Sequence, residues 1–265
     1  MANAFLVRPL PFANVVSYGT VQAGTAAYVA NDYAGVVCRL ACDQNDNEAF
    51  FRVDLGDNYT VDTVMAFGLS RLPTSANLRI WCAPASDPTG FVLQAIVSAY
   101  AGTVARIDGM GVGLWVTETP IVARYLQIAF VAGAGNPGQS VQVSRLVIGK
   151  RFRPAIGFEY GGQVGVRDLG SLDVSARAVL LRHYGKRLRT VSLNFPSLSK
   201  AEAEGSLQKT LEQIGNTDCI GLCTDPTPDP ERQNRCFFGP LVGDLGRTWR
   251  TAQHWEWRAN LLGLM

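Results

Sequence analysis

Arg187-Leu-Arg-Thr-Val-Ser-Leu-Asn-Phe195, then Pro196-Ser-Leu-Ser199, the run 200–214, Gly215 and the run 217–225 form the stretch on which the reading of this chain turns. It reads as strand, helix, strand, and holds the one long helix that the pattern supports in 265 residues. Ser199 is an N-cap, and Glu202 stands three residues later, as a capping box requires. Ala203, Leu207, Leu211 and Ile214 recur at helical spacing and make one apolar stripe. Lys200, Glu202, Glu204, Lys209 and Glu212 fall mostly on the opposite side. Gly215 is placed to end the helix in a left-handed conformation. Gly205 is the inconsistency, costing about 1 kcal/mol relative to Ala in a helix interior. Nothing in the stretch is catalytic in character; it is a packing unit with one apolar stripe to lay on a sheet.

Toward the C-terminus, Asp225-Pro-Thr-Pro-Asp-Pro230 predicts a rigid, exposed loop, because three prolines deny the chain its ladder donors. Strands are expected at 235–242 and 247–259. In the second, Trp249, Thr251, Gln253, Trp255 and Trp257 share one face, and Arg250, His254, Glu256 and Arg258 the other. Upstream lie β runs at 156–160, 162–167 and 172–183, preceded by a linker at Gly149-Lys-Arg-Phe-Arg-Pro154.

The N-terminal half reads differently. Residues 1–20 are irregular, with Pro9 and Pro11 interrupting apolar residues, and form an arm or a first short strand that can join the C-terminal domain. Phe51, Val53 and Leu55 alternate with Arg52 and Asp54, the period of a half-buried strand. Gly56-Asp57-Asn58 is a turn signal. Further strands are expected at 61–69, 77–82, 91–100, 114–119, 123–130 and 141–148, with a turn at 133–138. Many short strands punctuated by Gly, Pro and Asp, without a helix, predict a β-sandwich over 21–149. The fold class is therefore mainly β: a jelly-roll sandwich, then a β-rich domain over 150–265 carrying the helix 200–214.

Composition narrows the function. The apolar fraction of 47% supplies a substantial core, and the charged fraction of 17% is low enough to predict surface covered by partners. A net charge of +2 gives no argument for nucleic acid or an acidic membrane. The start of the chain lacks the pattern of an export signal, and no run is long enough to span a membrane. The expected setting is a cytoplasm. Cys219 and Cys223, on one strand, would stand about 13 Å apart at an extended rise, too far to bridge. Structural zinc sites favour other spacings, so reduced, buried thiols are the simpler reading for all six cysteines.

Chemistry is sparse. His183 and His254 stand on separate strands beside charged neighbours. Asp43-Gln-Asn-Asp-Asn-Glu48 has hard oxygen donors for calcium but lacks the spacing of an EF-hand loop, and such residues are favoured in turns anyway. There is no Gly-x-Ser-x-Gly and no dinucleotide-binding glycine pattern; Gly109-Met-Gly-Val-Gly113 reads as a flexible connection. No catalytic residue, metal ligand or cofactor site is assigned. Tyr33, Arg71, Trp81 and Trp115 lie in or next to the sandwich loops and are the candidate sugar-binding residues. Trp249, Arg250, His254, Trp255 and Trp257 are the candidate interface.

Two resemblances follow. Residues 20–150 resemble discoidin or coagulation-factor C-type domains, which share a galactose-binding-like jelly roll. The resemblance rests on Phe51-Arg-Val-Asp-Leu-Gly56, the run 61–69, Ala76-Asn-Leu-Arg-Ile-Trp81, Ala123-Arg-Tyr-Leu-Gln-Ile128 and Val143-Ser-Arg-Leu-Val-Ile-Gly149. It implies loops at one end that bind sugars or lipids, with no residue carried over. Residues 150–265 resemble the belt-like domains of tailed-bacteriophage distal-tail and minor tail proteins. That match rests on Arg189-Thr-Val-Ser-Leu-Asn-Phe195, Leu198-Ser199, the helix, Gly215, Asp225-Pro226, Phe238-Gly-Pro240 and the Trp-rich closing strand. Here the sandwich precedes most of the belt domain, a departure from the family's order.

Together they imply a structural, non-enzymatic component of a phage tail tip or baseplate, assembled in the host cytoplasm. It would form a ring of three or six copies and link the tail tube to the adsorption apparatus. Its partners would be itself, other tail proteins and host surface glycans, with no nucleic acid and no membrane insertion. The alternative is a carbohydrate-binding protein that contacts the host surface through the sandwich. An enzyme is the third option, weakened by the scatter of acid–base and nucleophilic residues.

Overall fold

The structure, a computed structural model, describes residues 4–133 and 138–265. Residues 1–3 of the expected arm and 134–137 of the expected turn lie outside it. The chain divides into two compact units: residues up to Arg153 together with Ile220–Cys236, and Pro154–Cys219 together with Phe237–Met265.

In the first unit the strands are β1 (Phe5–Val7), β2 (Asn14–Tyr18), β3 (Thr20–Ala23), β4 (Cys38–Ala41), β5 (Glu48–Leu69), β6 (Asn77–Ala83), β7 (Val92–Ser98), β8 (Gly111–Val131), β9 (Ser140–Val143), β10 (Arg145–Gly149) and β11 (Arg151–Phe152). The larger sheet runs β10-β5-β8-β6-β7, with β2 also on β5; the smaller runs β3-β4-β9. Phe51, Val53, Leu78, Ile80, Ile128 and Phe130 of the larger sheet meet Leu40, Val141 and Val143 of the smaller in one buried core. This is the jelly-roll β-sandwich. One short 3-10 turn, Ala26–Ala30, interrupts it.

The expected strands at 51–55 and 61–69 are one strand, and so are those at 114–119 and 123–130. β5 and β8 pair from Glu48↔Val131 to Leu69↔Gly111, shifting register between Asp54 and Tyr59 and between Val61 and Thr63. Gly56, at φ 86°, therefore serves a bulge within a strand, not a chain reversal. Pro120 lies where β8 slips past Asp62, a place that needs no ladder donor from it. The expected flexible connection at 109–113 is also corrected. A Cβ on Gly113 would come within 2.8 Å of the Ala99 carbonyl oxygen, so its glycine answers a close backbone approach. β1, fully buried, pairs with β11 and with β16 (Cys219–Cys223).

In the second unit the strands are β12 (Gln163–Asp168), β13 (Ser171–Val174), β14 (Leu180–His183) and β15 (Arg187–Ser199), and, after β17 (Cys236–Pro240), β18 (Arg247–Trp249) and β19 (His254–Gly263). Its main sheet is β12-β15-β19-β18. Val191, Leu193 and Phe195 of β15 and Trp257, Ala259 and Leu261 of β19 are buried at alternate positions. Pro196 is absorbed by a register shift between Phe195 and Leu198. The helix spans 200–214, and its capping box forms. The Ser199 N–H donates to Glu202 Oε2 at 2.9 Å, and the Glu202 N–H donates to Ser199 Oγ at 3.3 Å. Burial pushes the Glu202 carboxyl up, but hydrogen bonds from Ala155 and Ser199 outweigh it and hold it below the ordinary range. Ala203, Leu207, Leu211 and Ile214 are buried. Gly215 closes the helix at φ 53°.

Gly205 sits in a wider π turn, Glu202–Leu207, followed by regular α-helix over Gln208–Ile214. A glycine is tolerated where the helix already departs from α geometry, and Arg247 caps the turn by donating to the Ala203 carbonyl. Three other expectations are corrected. Residues 156–160 form no strand. The run 172–183 is a hairpin, β13 against β14, reversing through Ala178 at φ 59°. The run 247–259 is also a hairpin, β18 against β19.

All six cysteines are buried free thiols. Burial pushes Cys38 to about 11 and Cys82 to about 12. The folded chain therefore keeps these protons where the unfolded chain, near the ordinary value of 9.0, releases them. The unfolded state then binds fewer protons, so stability falls as pH rises above about 9. Urea midpoints at pH 8 and pH 10.5 are expected to show this fall, reduced in a Cys82→Ala variant. Aromatic-disulfide labelling at pH 8 is expected to modify none of the six thiols until the chain is unfolded.

Candidate functional site

At one end of the β5–β8 pair the ladder stops at Leu69↔Gly111. Three loops meet there: 70–76, 99–110 and 224–235. They enclose a cavity of about 230 Å³ lined by Arg71, Leu72, Tyr100, Arg106, Gly111 and Gln233, with the hydroxyl residues Ser70, Thr74 and Thr103. The Pro-rich loop read as simply exposed is tied into this end. Arg232 Nε donates to the Ala101 carbonyl at 2.6 Å, and the Val104 N–H donates to the Pro230 carbonyl at 3.0 Å. Arg235 pairs with Asp225 and Asp229 at 3.0 and 3.3 Å.

Gln233 is the pin. It is buried, its Oε1 accepts from the Val112 N–H at 3.0 Å, and its Nε2 donates to the carbonyls of Gly102 and Val104 at 2.7 and 3.0 Å. Tyr100 forms an apolar wall, and its hydroxyl donates to the Leu72 carbonyl at 3.1 Å. Burial pushes that phenol up, the Leu72 bond only partly opposing it. Gly111 makes room for the ring, since a Cβ there would stand 2.4 Å from Tyr100 Cε1. Arg106 is buried and pairs with Asp108 at 2.7 Å. Arg71, exposed at the rim, holds a left-handed φ of 71°, a conformation uncommon for a residue with a Cβ.

Of the four candidate sugar residues, Arg71 alone lines this cavity. Tyr33 is 74% exposed in the loop before β4, its N–H bonded to Asn31 Oδ1. Trp81 is half-buried on β6, opposite Leu93 and Gln127. Trp115 is buried in the core and is unavailable to a ligand. Arg106, Tyr100 and Gln233 were not among the candidates. The one signal for Arg106 was a basic residue two positions before Asp108 in a glycine-rich loop. In the Asp-rich segment, Asp43 Oδ1 accepts from the Asn45 N–H at 2.8 Å in an Asx turn, and Glu48 faces Arg79 at 3.5 Å.

The Trp-rich interface candidates divide. Trp249 is 65% exposed and packs edge-on against half-buried Trp255, centroids 4.8 Å apart. The Arg247 guanidinium lies 5.3 Å from the Trp255 ring centre. Arg250, at the reversal, and Asn194 hydrogen-bond Glu256 and hold its carboxyl below the usual range. Exposed His254 places Nδ1 3.0 Å from Ser197 Oγ. Trp257 is core, 1% exposed and stacked on Phe195 at 5.5 Å. The expected single Trp face fails because the chain reverses between Trp249 and Trp255.

A second feature was not anticipated. Among the described residues, the hairpin β13–β14 pairs with no other strand. Opposite pairs place Leu172 beside Arg182 and Val174 beside Leu180 on one face. Leu172, Val174 and Leu180 are 66, 58 and 43% exposed, and the neighbouring Val164 and Val166 of β12 are 62 and 66% exposed.

Neither a protein-family model nor a curated protein matches the chain. Similar solved structures include chitosan-binding module 1 of a chitosanase/glucanase from Paenibacillus sp. IK-5, at 16% identity over 54% of this chain and 99% of that one, TM-score 0.41. The family 32 carbohydrate-binding module of NanJ from C. perfringens, solved with galactose, has 13% identity over 57% and 100%, TM-score 0.41. A Streptococcus pneumoniae fucose binding module has 12% identity over 54% and 95%, TM-score 0.39.

Trp257→Ala is expected to cost about 3–5 kcal/mol in urea unfolding, because it removes a stacked core ring. Trp249→Ala is expected to cost less than about 1 kcal/mol, its ring being mostly in water.

Proposed function

We propose that this chain is a structural subunit of a tailed-phage tail tip that assembles with copies of itself into a ring, its sandwich available for contact with the host surface. The observation that carries the reading is the β13–β14 hairpin. A two-stranded hairpin is marginal in water by itself, and an exposed apolar strand surface invites another chain. Leu172, Val174 and Leu180 together supply such a surface. Low overall charge accords with surface that is covered on assembly. Rings arise when one such heterologous contact is repeated by rotation until it closes. The role is architectural, without chemistry.

A second reading has its own observation. The loop-end cavity, with Arg71 at the rim and Tyr100 as a wall, has the apolar surface and convergent polar groups of a small-molecule site. It supports a carbohydrate-binding protein, in keeping with the chitosan-binding and fucose binding modules and the galactose complex above. The two readings are compatible if the ring presents the sandwich outward.

Light scattering with negative-stain electron microscopy tests the first reading. The native chain is expected to form closed rings of three or six copies. A Leu172→Ser/Val174→Ser/Leu180→Ser triple variant is expected to remain folded and monomeric. A native chain that stays monomeric at every concentration sinks self-driven ring assembly and leaves the binding reading.

A further inference from the structure

We propose that the loop-end cavity selects a sugar bearing a carboxylate, a uronic acid or a saccharide ending in one. The inference rests on the carbohydrate-binding reading and adds the class of sugar. Its starting point is Arg106, whose side chain is 3% exposed. One guanidinium nitrogen, Nη2, donates to Asp108 Oδ2 at 2.7 Å. The other, Nη1, is buried and has no hydrogen-bond partner among the described residues. Buried charged donors are almost always satisfied, and Arg106 is one of the residues that line the cavity.

The surrounding groups do not supply an acceptor. Asp108 is committed, Oδ2 to Arg106 and Oδ1 to the Met110 N–H at 2.9 Å. The Gln233 amide is fully used on Val112, Gly102 and Val104. Among the described residues no Asp or Glu lines the cavity, whereas a second guanidinium, Arg71, does. Two guanidinium residues on one cavity, one of them offset by Asp108, leave a net positive lining that favours an anion, and a guanidinium matches a carboxylate in planar, paired geometry.

Size and lining favour a sugar over a small inorganic ion. The cavity of about 230 Å³ is several times the roughly 30 Å³ that one water occupies. Ser70, Thr74 and Thr103 offer hydroxyl partners, and Leu72 and Tyr100 offer an apolar wall. A site holding a buried donor discriminates strongly against an analogue that lacks the acceptor, because that donor is then left unpaired.

Calorimetric titration of the full chain with galacturonate against galactose, and glucuronate against glucose, tests the proposal. Each pair differs only at C6. Sodium sulfate and sodium acetate serve as anion controls. One acid is expected to bind at least about tenfold more tightly than its neutral partner. Arg106→Gln and Arg71→Gln are each expected to bring the affinity for the acid down to that for its neutral partner. Arg71 is at the rim, so its variant carries the test even where Arg106→Gln lowers the melting temperature. Equal affinity for acid and neutral sugar overturns the proposal and leaves the carbohydrate reading standing. Sulfate or acetate binding as tightly as the uronates reduces the cavity to an anion site and overturns the sugar. Absence of any binding overturns both the proposal and the carbohydrate reading.

Discussion

The sandwich depends on β5 and β8 staying paired through two bends, and the critical bend is at Asp62. There β8 carries four residues, 117–120, against the single Asp62 of β5, between Val61↔Ile121 and Thr63↔Val116. The surplus makes a bulge in β8, and Asp62, opposite it on β5, is buried. A buried carboxylate is tolerated when it is paired and hydrogen-bonded. Thr63 Oγ1 and the Arg151 N–H each donate to Asp62 Oδ1 at 2.8 Å. Arg151, at 3.9 Å from Oδ2, also reaches Glu118 at 2.9 Å on the opposing stretch of β8. One carboxylate thus ties β5 at this register shift, the bulged stretch of β8 and the start of β11. Beyond the bend, Val64, Met65, Ala66 and Phe67 are all buried, so this half of β5 is covered on both faces. Even an added Cβ on Gly221 of β16 would come within 2.9 Å of Met65 Sδ.

The cavity inherits its geometry from that register. The last rung, Leu69↔Gly111, sets how far β5 and β8 project before their loops begin. Gly68, at φ 72°, lies so close to Ser144 that a Cβ would stand 2.1 Å from its Oγ. The chain leaves β5 in a fixed direction, and Arg71 follows in its own left-handed turn. On the other side Gln233 holds three backbone groups of the 99–112 segment at once. A ligand meeting these groups finds them already positioned, which lowers the ordering cost of binding.

What the sequence disclosed follows from how local each signal is. The capping box at Ser199 and Glu202, the stripe Ala203–Leu207–Leu211–Ile214 and the Phe51/Val53/Leu55 alternation are each decided within a few residues, and each is present. Chain reversals without Gly, Pro or Asn at their centres were not legible. The Arg250–Gln253 reversal preserved a false period-2 alternation of tryptophans, and the 175–179 reversal, turning on Ala178, was read as continuous strand. Gly56-Asp57-Asn58 misled in the other direction, because a bulge and a turn call for the same residues. Trp115 was offered as a ligand residue from its place near a loop, but its burial follows from packing on both faces of β8. Arg106 and Gln233 stand 127 residues apart and acquire meaning only when the 224–235 loop folds back, which no local pattern encodes.

The pocket and the hairpin make opposite use of polar satisfaction. Around the cavity, the Gln233 amide and the Asp108 carboxylate are matched, whereas Arg106 Nη1 has no hydrogen-bond partner among the described residues. The β13–β14 hairpin has its backbone paired on one side only, and Leu172, Val174 and Leu180 gain nothing from water. Each apolar side chain of that size contributes roughly 1.5–3 kcal/mol when fully buried. Covering three of them would offset part of the cost of bringing two chains together. The hairpin thus leaves apolar surface uncovered, whereas the loops of the pocket are already organised by hydrogen bonds.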